Sequence, residues 1–278
     1  MRKTRLEALA LDAKVKVHQV RRLASWLAER RDYQPPPIVA IDGHPFVHGQ
    51  HVVPIARLDP AADPRLEAGK RVNLGLAAPA FDGRLLSPER ALSFWRVLGR
   101  VTAADGYRPG LELRGGCLVP SIGGGLCLLS NALFALAASL GWTILERHGH
   151  TMEAVRPPPG EPWGLDATVA WPHVDLRVAP LDPVRLGARV EGGVLRVEVR
   201  GARPPRVDVV LRSIDDRTDG AVRSNRLVRA IVDRATGRVV GESIIAATRK
   251  RLLHSTERAR TCWTCGEVAC AARVEGPA

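Results

Sequence analysis

The chain has 278 residues, 45% of them hydrophobic and 25% charged, which suits one large globular domain or two small ones and excludes a disordered chain. Aromatic residues make up only 4%, so Leu, Val and Ala must fill most of the core. The net charge is +12, and half of it falls in the first 31 residues, where nine Lys/Arg face three Asp/Glu. Such a basic arm suits an anionic partner; no aromatic-rich basic motif accompanies it, so nucleic acid is not the expected one.

No stretch approaches the ~18 consecutive apolar residues of a membrane span. The start, MRKTRLEALALDAKVKVHQVRR, lacks the apolar run and small-residue cleavage site of a secretory signal. The expected location is therefore the cytoplasm, where thiols stay reduced. The five cysteines are then expected to be catalytic, metal-binding or buried, not a disulfide framework.

Leu6, Leu9, Val17, Val20, Leu23 and Leu27 recur at helical spacing, which predicts an amphipathic helix with a basic outer face. Pro35, Pro36 and Pro37 end it and form a stiff linker. Ile38–Ile41 reads as a short strand, followed by a loop in which His44, His48 and His51 are surface residues. Residues 71–86 show mixed helical periodicity broken by Pro79, and Ser87-Pro88-Glu89 marks a turn or helix start. Leu111–Arg114 and Cys117–Val119 flank Gly115-Gly116, the pattern of a hairpin. Three glycines, Gly123, Gly124 and Gly125, precede a strong helix over Leu126–Leu140, which Gly141 terminates. Strands are expected at Thr143–His148, Val194–Val199, Val207–Leu211, Leu227–Val232 and Val239–Ile245.

Cys127 opens the strong helix. Helix starts carry free N–H groups and positive dipole, which lower a thiol pKa. The glycines permit close approach of a substrate and offer N–H groups to an oxyanion, with Ser130 and Asn131 as further binding residues. Leu129, Leu133, Leu136 and Leu140 anchor the helix from behind. A strand ending in Glu146-Arg-His-Gly-His150 follows, then Trp163-Gly-Leu-Asp166-Ala-Thr168. Cysteine on a helix start, histidine on the next strand and aspartate on another is the order of transglutaminase-like triads. Within it His150 is expected as the relay because it lies nearer the loop than His148. A metal site is the rival reading: His148 and His150 are two apart, so on a strand both face one way, and Cys127, His148, His150 and Asp166 make a mixed ligand set. A catalytically silent pocket is the third.

The stretch Gly123-Gly-Gly-Leu-Cys127-Leu-Leu-Ser-Asn131, with Glu146-Arg-His-Gly-His150 and Asp166-Ala-Thr-Val169, resembles the VanW family. Ser93-Phe-Trp95, Leu98-Gly99 and Gly106-Tyr107 resemble its upstream block, so the likeness covers about residues 45 to 185. The resemblance implies a link to glycopeptide resistance and cell-wall chemistry. It also implies glutamine after the cysteine, where this chain has Leu128.

The C-terminal Cys262-Trp-Thr-Cys265-Gly-Glu-Val-Ala-Cys270 has the C-x2-C-x4-C spacing of a thiolate metal grip, so zinc or an iron–sulfur cluster is the expected cofactor there. The whole reads as an α+β fold. A basic helix and linker occupy 1–37. An α+β domain over 38–248 contains a central helix followed by an antiparallel sheet, resembling a transglutaminase-like core, and then a strand-rich part. A basic cysteine-containing tail occupies 249–278. Expected functions are acyl transfer or amide hydrolysis on a peptide or small molecule, metal-dependent chemistry, or accessory binding.

Overall fold

The computed structural model describes residues 5–29, 35–56, 63–114, 117–153 and 161–252. Helix α1, Arg5–Ala28, forms where the spacing predicts it but docks on an unexpected face. Among the helix residues whose side chains are described, Val15, Gln19, Arg22 and Trp26 are partly buried, whereas Val20 and Leu27 are 66% and 69% exposed. The reason is polar and aromatic anchoring: Arg22 pairs with Glu146, Gln19 donates to the Trp171 carbonyl, and Trp26 meets Trp171 edge-on. The outer face is therefore partly apolar, not simply basic.

The prolines that follow do not form a free linker. The Pro36 and Pro37 carbonyls accept hydrogen bonds from the Arg84 guanidinium and the Leu85 N–H. Ile38 makes only an isolated bridge to Arg84, so the strand expected at 38–41 is absent. A longer strand, β1, Phe46–Pro54, takes up the segment read as a histidine loop. His48 and His51 lie on it, and the His48 ring contacts the Arg203 carbonyl. Polar residues interrupt its alternation, which is why its sequence does not read as a strand.

Helix α2, Pro64–Ala77, starts on an Asp63 cap with Pro64 in its first turn. The chain then forms β2, Arg84–Leu86, β3, Leu92–Ser93, and the short helix α3, Phe94–Leu98, capped by Ser93. Strands β4, Pro109–Arg114, and β5, Cys117–Ile122, pair as the expected hairpin. Helix α4, Cys127–Ser139, is followed by β6, Thr143–Glu146, β7, Met152–Glu153, and β8, Arg177–Ala179. The rest is antiparallel strand: β9, Val184–Glu191, β10, Val194–Gly201, β11, Val207–Asp219, β12, Val222–Asp233, and β13, Val239–Leu252. Both helices and strand-dominated parts are present, an α+β architecture.

Four sheets result, in the orders β1-β10-β9-β2, β11-β12-β13-β7, β3-β8-β6 and β4-β5. Helix α4 lies at their centre, with Leu129, Ala132, Phe134 and Ala137 fully buried in one core with Phe81, Phe94 and the inner residues of β9 and β10. Each fully buried Leu or Phe there contributes about 1.5–3 kcal/mol of transfer free energy, so the residue that opens α4 is rigidly held. Among the described residues no helix is long and apolar enough to cross a membrane.

Glycines let the layers in front of α4 touch. A Cβ on Gly124 would stand 2.3 Å from the Gly110 carbonyl group, and one on Gly69 would stand 1.9 Å from the Pro109 oxygen. Backbone occupies those positions, so only glycine fits. Asn73, fully buried on α2, fastens the same layer: its amide donates to the Arg108 and Gly124 carbonyls at 2.9 Å and accepts from the Arg108 N–H at 2.8 Å.

Candidate functional site

Strand β6 stops at Glu146, two residues short of the expected end, because the next residues turn to bond the loop at 164–166. Arg147 donates to the Gly164 carbonyl, the Asp166 carbonyl and the Asp166 carboxylate at 2.9, 2.7 and 3.1 Å. His148 and His150 therefore stand on a loop, and Asp166 on another, instead of on adjacent strands. Off a strand, the two histidines need not share a face, and they do not. The His148 ring is 47% exposed and contacts Glu146 at 3.1 Å. His150 turns the other way: its Nδ1 and its backbone N–H lie 2.7 and 2.8 Å from Asp166 Oδ2.

With Nδ1 held by a carboxylate, Nε2 is the ring nitrogen left to act on the thiol of Cys127, whose electrostatics His150 influences. Cys127 Sγ also lies 3.7 Å from Thr168 Oγ1 and 4.0 Å from the Val169 carbonyl, and it is only partly buried. His150 and Asp166 are thus hydrogen-bonded and His150 is electrostatically coupled to Cys127, while His148 stands apart. Among the described residues no group of three or more His, Cys, Asp and Glu has metal-holding geometry. Cys262, Cys265 and Cys270 lie outside the described residues.

The electrostatics follow from this chain of contacts. Burial pushes the Asp166 carboxyl up, but His150, Lys250 and Arg147 outweigh it and hold Asp166 far below the carboxylate range. Burial likewise opposes a charge on His150, yet Asp166 and Cys127 raise it to about 9. For Cys127 burial again acts upward, and the His150 hydrogen bond and charge overcome it, so the net shift is downward. Both shifts run in the direction of a thiolate beside an imidazolium.

Sequence reading missed Lys250 and Arg147. Lys250 Nζ lies 2.7 Å from Asp166 Oδ1 although it is 84 residues further along the chain. Residues 249–252 belong to β13 and not to a tail, because their alternate side chains face inward: Thr248 and Lys250 are 5% and 7% exposed. Trp163 lies beneath Lys250, with 5.2 Å from Nζ to the ring centre, and Asn225 holds the Trp163 carbonyl at 2.7 Å. The Glu146-Arg147-His148 spelling signalled the arginine; nothing near Lys250 tied it to Asp166.

The expected binding residues have other partners. Ser130 Oγ donates to the Ala167 carbonyl at 2.6 Å, and Asn131 Oδ1 accepts from the Ala167 N–H at 2.8 Å. Both clamp the Asp166 loop onto α4 instead of facing a substrate. The Gly123 and Gly124 N–H groups bond the Arg108 and Ser121 carbonyls, so neither serves an oxyanion. Gly125, at φ +96°, packs on Lys70, where a Cβ would stand 2.3 Å from Cγ. Among the described residues, the Gly125 and Cys127 N–H groups have no backbone acceptor, as expected where a helix begins. Leu128 is 7% exposed and belongs to the core, so its side chain does not face the thiol site.

Residues 69–200, from α2 to β10, match the family described as VanW like protein. The chain carries a VanW-like domain. The match includes Cys127, His150 and Asp166, whereas Lys250 lies beyond it. Two curated relatives are similar in part. The vancomycin B-type resistance protein VanW of Enterococcus faecalis is 36% identical over 113 residues, 40% of this chain and 41% of that protein. The uncharacterized protein YoaR of Bacillus subtilis is 33% identical over 123 residues, 44% of this chain and 39% of that protein. The chain thus spans about two-fifths of the length of the curated relatives it matches. No solved structure matches it.

Proposed function

We propose that the VanW-like domain is a cysteine-dependent enzyme of acyl transfer or amide hydrolysis, acting on a peptide, a cell-wall precursor or a small amide. Cys127 is the nucleophile, His150 the acid–base and Asp166 the group that orients the imidazole. The observation that supports this most is the His150 Nδ1–Asp166 contact at 2.7 Å, with His150 lowering the pKa of the Cys127 thiol.

The thiolate attacks the amide carbonyl carbon, forming a C–S bond as the carbonyl electron pair moves onto oxygen. The Cys127 N–H at the helix start donates to that oxyanion. When the C–N bond breaks, the proton on His150 Nε2 passes to the departing amine. His150 then takes a proton from water or from an acceptor amine, which displaces the thiol and releases the acid or the new amide. The order along the chain resembles transglutaminase-like triads, though here His150 and Asp166 come from loops. The Enterococcus faecalis relative is named for vancomycin resistance, which makes cell-wall precursor peptides the first substrates to try.

Incubation with p-nitrophenyl acetate at pH 6, followed by intact-mass analysis, tests the reading. An acetyl adduct on Cys127 that is lost in Cys127→Ser and slowed in a folded His150→Ala is expected. Failure of the thiol to acylate, or acylation indifferent to His150, would overturn it and leave an accessory binding role.

A further inference from the structure

A groove of about 510 Å³ lies between β6 and β13, lined on one side by residues 143–147 and on the other by residues 243–247. Each wall comes from a strand with an open edge over this stretch. Among the described residues, β6 pairs only with β8, and β13 pairs with β12 on one side but with β7 only at Arg251 and Leu252 on the other. Upstream of that pairing, the outer edge of β13 has no strand beside it among the described residues. Five residues on each wall correspond to ~16 Å of extended chain. Leu145 and Ile244, 50% and 53% exposed, give it apolar flanks.

At the Thr143 and Ser243 end stands Arg229, register partner of Ser243. It is only 8% exposed, its Nη1 donates to the Trp142 carbonyl at 2.6 Å, and its Nε has no partner. Burial is the one influence on its guanidinium, and no carboxylate of the described residues compensates it. A buried cation without a counter-ion is costly, and a guanidinium with donors to spare fits a carboxylate. At the other end of the groove Arg147 reaches Asp166.

We propose that this groove binds a peptide in extended form, as an added strand between β6 and β13, with its C-terminal carboxylate on Arg229. Unsatisfied strand edges supply the main-chain hydrogen bonds, the apolar flanks take alternate side chains, and Arg229 selects for a free terminus. As a substrate subsite the groove rests on the enzymatic reading above; as a binding site it does not, since the thiol takes no part.

The test uses Cys127→Ser protein and the N-acetylated pentapeptide Ala-Val-Ala-Val-Ala, as free acid and as C-terminal amide. Calorimetry should give at least tenfold weaker binding for the amide, and Arg229→Gln should lower the acid to that level. Hydrogen exchange of the full chain should slow at residues 143–147 and 243–247 when the acid is added. Equal binding of acid and amide, or protection elsewhere, overturns the proposal. So does exchange at 243–247 that is already slow without peptide, since the chain itself or a second copy then covers the edge. Because the exchange experiment needs no Arg229 variant, a folding defect in Arg229→Gln leaves the proposal open to refutation.

Discussion

Asp166 divides its two oxygens between two tasks: Oδ2 holds the ring and backbone of His150 at 2.7 and 2.8 Å, while Oδ1 faces Lys250 at 2.7 Å and Arg147 at 3.1 Å. The cations keep the carboxylate ionised, and an ionised Oδ2 keeps Nδ1 protonated. In the proposed mechanism Lys250 is thus a positioning residue that acts on the thiol through two intermediaries.

Lys250→Met should therefore leave a folded protein with a weaker carboxylate anchor. Removing one member of a buried pair costs ~3–5 kcal/mol, but Arg147 remains, so the loss should fall below that range. The pH dependence gives the sharper readout. The folded-state pKa of Asp166 is depressed, so its contribution to stability is present above its unfolded value of ~3.9 and is lost as pH falls toward the folded value. Urea unfolding should show a smaller drop between pH 5 and pH 2 in Lys250→Met than in the parent. An equal or larger drop would remove Lys250 from the account.

Cys127 should alkylate with iodoacetamide well below the ~8.5 of a free thiol, because the His150 hydrogen bond and charge stabilise its thiolate. A second inflection near pH 9 is expected as His150 loses its proton. The sign for stability is the reverse of that for Asp166. The raised pKa of His150 contributes fully below ~6.5 and is lost as pH rises through about 9. A single inflection above pH 8 would leave no activated thiol.

The two histidines should separate cleanly. His150→Ala should slow alkylation at pH 7 by roughly 10–30-fold, since an ordinary thiol is only a few per cent thiolate there. His148→Ala should leave the rate within twofold, because the exposed His148 ring contacts Glu146 and not the thiol. Comparable losses in both variants would point instead to a shared ligand.

Gly124→Ala should be among the most damaging single substitutions, costing more than ~3 kcal/mol or preventing folding. The new Cβ meets the Gly110 backbone at 2.3 Å, and neither strand nor helix can yield without dislodging Cys127. Thermal melts of this variant beside Gly75→Ala, whose Cβ would meet nothing within 4 Å, provide the comparison.

Helix α4 was legible because its apolar run is long and its glycines stand at both ends; it was read as 126–140 and is found at 127–139. The starts of β10, β11 and β13 and the end of β12 were legible from β-branched runs. The end of β11 and the start of β12 were not, because they run through charged residues, where Arg223–Asp216 and Arg226–Asp215 pairs replace apolar alternation. The docking face of α1 was misread because its buried positions are chosen by Glu146 and Trp171, more than a hundred residues away. At the site, residue types near Cys127 were visible in order. The choice between His148 and His150 turned on where β6 ends, which local sequence does not encode. The glycines were read as chemistry, whereas their tightest constraint is the approach of Gly110.

Chains are made from the N-terminus, and the position of Lys250 gives that direction a chemical meaning. When Asp166 is added to the chain, the thiol, imidazole and carboxylate all exist. The lysine that faces the carboxylate is still 84 residues from synthesis. It arrives on the last described strand, after the β11–β12 hairpin on which β13 pairs. A nascent or truncated chain ending before β13 carries every reactive group of the proposed mechanism but lacks that charge, so in that mechanism full activation of the thiol waits for the fold to close.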